Sequence, residues 1–218
     1  MNRQRRKLRP MLLVIALIGP PSLALAQDQP SGEFCGDVFT NAIGPFDYLN
    51  PDDRTRTKTA GVPVVENYHF TPDVEGFRLT PNRLMGDLGY TLRAVPNHHR
   101  ALNAIARYDI ERGIPPNERS AQCWFDRALR FRPEDGTVWQ VYGNWLSRKN
   151  RAEDAIKAYT RAKEINPDSA EVHYNIGLLY LRMGQLEKAR ESARLAYEGN
   201  YPLPGLRRKL AEKGYPLD

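Results

Sequence analysis

Between Gly136 and Pro167, apolar and small residues recur at helical spacing. Trp139, Tyr142, Gly143 and Leu146 share one face of a first helix, and Ala155, Tyr159 and Ala162 share one face of a second. A short polar turn separates the two, and Pro167 stops the second helix. Gly143 and Ala155 let the helices approach closely, and the aromatic rings fill the remaining space. The same pattern returns after Ala170 with Ile176, Gly177, Tyr180, Ala189 and Ala196. It also precedes Gly136, as Leu102, Ile105 and Ala106, then Ala121, Phe125, Ala128 and Pro133. In that earlier unit the loop Gly113–Glu118 is longer. Three helix pairs are therefore predicted, over 99–135, 136–169 and 170–203, with Gly199 ending the last by a left-handed turn.

Leu84, Leu88 and Leu92 keep helical spacing up to Pro96. They predict a lone second helix within 83–98, serving as an N-terminal cap. Leu206 and Leu210 predict a C-terminal capping helix within 204–218. Residues 27–82 lack such periodicity. Glycines, prolines and the charged run Asp52–Arg56 mark turns, while Phe34, Phe39, Phe46 and Tyr48 argue against a disordered linker. The segment reads as an arm packed on the repeats, with a loose tip near 50–60. Val62-Pro63-Val64-Val65 reads as a strand or an extended contact. Thr71-Pro72-Asp73 starts a short helix near 72–79, with Thr71 as its cap.

With Gly136 as position 1, the residues at 4, 7, 8, 11, 20, 24, 27 and 32 are Trp139, Tyr142, Gly143, Leu146, Ala155, Tyr159, Ala162 and Pro167. This resembles the tetratricopeptide repeat closely. The resemblance covers 96–213 strongly and 83–95 weakly. His69 to Leu102 is also similar to a segment of exported bacterial proteins that carry such repeats. The implied fold is all-α: a helix-turn-helix solenoid of three repeats plus capping helices, with an irregular N-terminal arm. The implied function is a protein–protein interaction module that binds an extended peptide or partner protein in a concave groove, as an assembly or maturation scaffold. By family register the groove carries Arg100, Asn103 and Arg107, then Thr137, Gln140, Asn144 and Arg148, then Tyr174, Leu178 and Arg182, with Asn175 bordering them. Amides can pair with a peptide backbone and arginines with a carboxylate. Tyr174 and Leu178 would form an apolar pocket at one end. Two alternatives stand beside this reading. In one, the arm fills the groove and the convex face binds. In the other, His69, His98 and His99 serve a small metal-binding or hydrolytic protein.

Composition sharpens the setting. The net charge of +6 is concentrated at the start, where Arg3, Arg5, Arg6, Lys7 and Arg9 have no acidic neighbour. Without residues 1–26, 27 basic residues face 26 acidic ones, so charge is no argument for a nucleic-acid partner. The basic start, the apolar run Met11–Ile18 and Ala24-Leu25-Ala26 describe a signal peptide over 1–26. Its apolar run is too short to span a bilayer, so the processed chain is expected to be periplasmic or secreted, without membrane insertion. Cys35 and Cys123 are the two cysteines. In an oxidising compartment they predict one disulfide. Cys123 lies on the side of its helix away from Ala121, Phe125 and Ala128, where a bond to Cys35 would pin the arm.

Catalytic chemistry finds little support. His98 and His99 are adjacent and point about 100° apart on a helix, a poor chelating pair. Capping or packing at the repeat junction suits them better, and no metal or other cofactor is expected. No phosphate loop, nucleophile elbow or catalytic cysteine pattern occurs, so the expectation is a chain that is not an enzyme. Trp124, Trp139 and Trp145 read as packing residues, with Trp145 partly exposed.

Overall fold

The computed structural model describes residues 35–57 and 60–217. The signal-peptide segment and Phe34 lie outside them. The described residues are helical, with no strand: α1 Pro51–Thr55, α2 Val62–His69, α3 Pro72–Glu75, α4 Pro81–Ala94, α5 His99–Arg112, α6 Ala121–Phe131, α7 Gly136–Arg148, α8 Ala152–Ile165, α9 Ala170–Arg182, α10 Leu186–Glu198 and α11 Gly205–Glu212. No helix among the described residues is long and apolar enough to cross a membrane.

The pairs α5/α6, α7/α8 and α9/α10 form the solenoid, and each first helix also packs on the next. Close approach within a pair depends on glycine. A Cβ on Gly143 would stand 2.7 Å from the Tyr159 ring, and one on Gly177 would stand 3.3 Å from Ala189 O of α10 and 2.5 Å from Leu206 Cδ2 of α11. The Tyr159 hydroxyl, buried in this contact, still finds a partner in Asn144 Oδ1 at 2.6 Å. One continuous core runs from Phe70 to Leu179, built on Leu84, Leu88, Leu102, Ile105, Phe125 and Leu146. A second cluster gathers Tyr174, Ala189, Ala193, Leu206 and Leu210 beneath α11. Short polar caps start the helices: Ser120 accepts from Cys123 N, Asp135 from Thr137 N and Val138 N, and Ser169 from Val172 N.

Several local expectations are corrected. Val62–Val65 is neither strand nor extended but opens α2, with Pro63 in its first turn, where a missing N–H costs nothing. Helix α3 ends at Glu75, short of 79, because Phe77 turns left-handed (φ 57°) and buries its ring edge-on against Tyr108. Thr71 precedes α3 without a side-chain cap bond. The tip near 50–60 holds α1, capped by Asn50. Helix α4 is not lone, since α2 and α3 pack on it. Gly199 has an ordinary φ of −76°, and Asn200 makes the left-handed turn (φ 60°). Glycine is required at 199 for space, because a Cβ there would meet that of Ala170 at 2.8 Å.

The arm does pack on the repeats. Phe46 is buried with Val62, Val65, Ala94 and Val95. Cys35 is paired with Cys123, with Cα atoms 5.3 Å apart, as the placement of Cys123 on its helix anticipates. Trp145 is buried rather than partly exposed, and its Nε1 donates to Asp109 at 2.8 Å.

Candidate functional site

The first helices α5, α7 and α9 carry the residues expected to form the groove. At the α5 end, the segment before the repeats engages them. Arg100 pairs with Glu75 at 2.5 Å and lies over Phe70. That carboxylate holds the guanidinium's pKa above its ordinary value, and the guanidinium in turn depresses Glu75. Arg107 stacks on Phe77 at 4.7 Å. At the α9 end the register-based pocket is closed. Tyr174 is buried, with the Tyr201 ring 4.3 Å away, and Leu178 packs against the same terminal cluster. Arg182 is tied to the Ser147 hydroxyl, and Asn144 serves Tyr159.

Besides exposed Thr137, four of the expected residues remain uncommitted. Asn103 on α5, Gln140 and Arg148 on α7, and Asn175 on α9 have no side-chain hydrogen bond or ion pair among the described residues. Asn103 and Arg148 are exposed, and Gln140 and Asn175 are half-buried. Together they offer amide donors and acceptors and one guanidinium, with no titrating base or nucleophile among them.

The histidines separate into different roles. His98 is fully buried and caps α5: its Nδ1 accepts from Ala101 N at 3.1 Å. An amide can only donate, so Nε2 carries the hydrogen given to Glu66 at 3.0 Å. Burial lowers the His98 pKa, with Glu66 opposing. His99 instead meets Asp135 at 2.8 Å. His69 meets Asp87 at 2.9 Å, rather than Asp73 or Glu75, and stacks on Tyr90. Among the described residues, no group of three or more His, Cys, Asp or Glu side chains could hold a metal ion.

Sequence reasoning missed the junction that these histidines complete. Buried Asn97 donates to Asp135 at 3.0 Å and to Asp47 at 2.8 Å, and its Oδ1 accepts from Tyr48 N at 2.9 Å. Tyr48 then lies against both His98 and His99. Asp135 thus joins the cap of α7 to the arm through Asn97. Pro96-Asn97-His98-His99 was legible as a junction, but its partners lie 32 to 50 residues away in sequence.

The comparisons agree with this architecture. A family model described as TPR repeat matches residues 143–184. The peroxisomal targeting signal receptor of Candida albicans is 32% identical over 74 residues, which is 34% of this chain and 12% of the receptor. Superkiller protein 3 of Schizosaccharomyces pombe is 37% identical over 73 residues, again 34% of this chain but 5% of that protein. The chain thus spans about an eighth of the receptor's length. The solved structure of PilF from Pseudomonas aeruginosa superposes with a TM-score of 0.52 at 21% identity, over 69% of this chain and 64% of that one, a likeness of fold alone. Residues 143–184 thus match tetratricopeptide-repeat sequence, and the helix pairs on either side share that fold.

Proposed function

We propose that the chain is an exported scaffold that holds an extended segment of a partner protein along α5, α7 and α9. The observation that carries this reading is the row Asn103, Gln140, Arg148 and Asn175, polar side chains without hydrogen-bond or ion-pair partners among the described residues, on successive first helices. Amides at such positions can replace the hydrogen bonds that an extended backbone would otherwise make to water, and Arg148 can fork onto an acidic side chain. The partial match to receptors named for a targeting signal supports a peptide-receiving surface. Arg100 and Arg107 belong to the inner wall that the arm covers, so the peptide starts beside Asn103. The chain makes no bond changes in its partner. The leader over 1–26 delivers it to the periplasm or the exterior, and the Cys35–Cys123 disulfide forms there.

The experiment is photo-crosslinking in intact cells from a reactive residue placed at Gln140, with and without the Asn103→Ala and Arg148→Ala substitutions. Neither of those side chains has a packing role, so the melting temperature should hold. A dominant partner adduct that falls with the double substitution supports the groove. An adduct indifferent to the double substitution, or a link solely to residues 35–60, overturns it.

A further inference from the structure

Arg93 of α4 and Arg119 and Arg127 at α6 gather around one buried indole on the second-helix side. Arg119 lies 5.3 Å and Arg127 5.7 Å from the Trp124 ring. The point where a Cβ on Gly89 would stand is 3.1 Å from Arg93 Nη1 and 3.7 Å from Trp124 Cζ2. A corresponding point on Gly36 is 3.5 Å from Arg119 Nη2 and 3.6 Å from Arg127 Nη1. Gly36 (φ +76°) thus leaves a space between two guanidiniums that any side chain would fill.

Among the described residues, counter-charge stands near the cluster but not within ion-pair distance. None of the three arginines has a carboxylate within 4.0 Å among the described residues, whereas nearby Arg130 has Asp126 at 2.6 Å. Arg127 is 3% exposed and uses Nη1 on the carbonyls of Cys35 and Asp37, at 3.1 and 2.9 Å. Its Nε is buried and has no partner. Burial, then the neighbouring Arg119, Arg130 and Arg93, push its pKa down to about 10, with Asp37 opposing. Arg93 is depressed likewise by burial and Arg119, with Glu118 opposing. Cation–π contact with Trp124 offsets part of this repulsion, but it leaves the in-plane N–H forks of Arg93 and Arg119 unused.

We infer that Arg93, Arg119 and Arg127 form a binding site for a carboxylate carried by another protein, on the face opposite the groove. Planar carboxylates match guanidinium forks two bonds at a time, and a half-buried setting strengthens that pairing. Arg93 and Arg119 are the half-buried members, so they present the forks, while Arg127 adds charge from beneath. The site stands independently of the groove, because its residues lie on α4, on α6 and in the loop before α6, and share no side chain with Asn103, Gln140, Arg148 or Asn175.

The test is calorimetric titration of the full chain with acetyl-Gly-Glu-Glu-Gly-amide, against acetyl-Gly-Gln-Gln-Gly-amide and inorganic phosphate. The expected result is binding of the acidic peptide alone. It should weaken as salt rises and fall about tenfold or more in Arg119→Gln and in Arg93→Gln, since each removes charge-assisted bonds. Circular dichroism confirms that each variant is folded. A Glu33→Gln variant separates the two sources of a carboxylate. If the acidic peptide binds that variant but not the natural chain, the ligand is the chain's own Glu33 and the intermolecular site is overturned. Binding of phosphate without the peptide, no binding at all, or binding by both arginine variants as tight as by the natural chain also overturns it.

Discussion

His98 Nε2 stands 3.0 Å from a carboxylate oxygen of Glu66, while His98 Nδ1 holds the amide of Ala101. The imidazole therefore works as a neutral cap, and protonating Nδ1 would cancel the bond that starts α5. Burial sets the His98 pKa below 6.5, and the hydrogen bond from His98 sets the Glu66 pKa below 4.5. The sign is the same for both groups. Below pH 6.5 the unfolded chain takes up a proton at residue 98 that the folded chain refuses, so stability falls with pH until the lower folded value is reached. Glu66 adds a further loss as pH drops through 4.5. The expected outcome is a melting temperature that declines between pH 7 and pH 5, with a slope of up to about 1.4 kcal/mol per pH unit from His98. His98→Asn keeps a capping side chain without the titration, and should flatten that decline. An unchanged profile would remove His98 as its source.

Asp135 carries more of the junction than any histidine. It caps α7 through the amides of Thr137 and Val138 while accepting from Asn97 and His99, at 1% exposure. Asp135→Ala loses the cap, worth about 1 kcal/mol, and leaves the buried Asn97 amide short of a partner, worth about 1–3 kcal/mol more. Asp135→Asn preserves the cap and should recover part of the loss. Urea unfolding of the two variants gives both numbers, and equal stability of Ala and Asn at this position would refute the cap's share.

The repeats were legible because their core obeys a period. Trp139, Tyr142, Gly143, Leu146, Ala155 and Tyr159 lie in one local frame, so spacing alone places them. The arm was not legible in that way. Val62–Val65 has strand-like composition, yet α4 offers Val62 and Val65 an apolar wall, and tertiary packing outweighs the weak propensity. The groove positions were found by register, but register does not say which are already taken. Tyr174 is closed off by Tyr201 from the turn after α10, and Arg100 by Glu75 from before the first repeat. The arginines around Trp124 gave no signal, because each sits singly in sequence among ordinary helix-surface positions.

Gly143 offers the sharpest packing test. A methyl group there would meet Tyr159 Cδ1 and Cε1 at 2.7 Å, closer than carbon atoms can stand. The ring has little freedom to yield, because Asn144 holds its hydroxyl and Ala155, Ala158 and Ala162 are buried beside it on α8. Gly143→Ala improves helix propensity by about 1 kcal/mol, yet overpacking costs about 1–3 kcal/mol. The net expectation is a lower melting temperature. Pairing it with Tyr159→Leu should recover most of the loss. A stabilised single variant would mean that α7 and α8 can separate freely.

Cys35 and Cys123 close a loop with a sequence separation of 88 residues. A cross-link over that length removes loop entropy from the unfolded chain, on the order of 4 kcal/mol in the chain-entropy model. The protein should therefore lose stability on reduction, and Cys123→Ser should abolish that sensitivity. The loss should be local before it is global. Arg127 holds the carbonyls of Cys35 and Asp37, so reduction first loosens residues 35–37 around that guanidinium, while α7 to α10 depend on their own core. Hydrogen exchange with and without reductant distinguishes the two. Faster exchange confined to the arm and α6 fits this account, whereas uniform acceleration through α7–α10 would mean that the disulfide supports the whole stack.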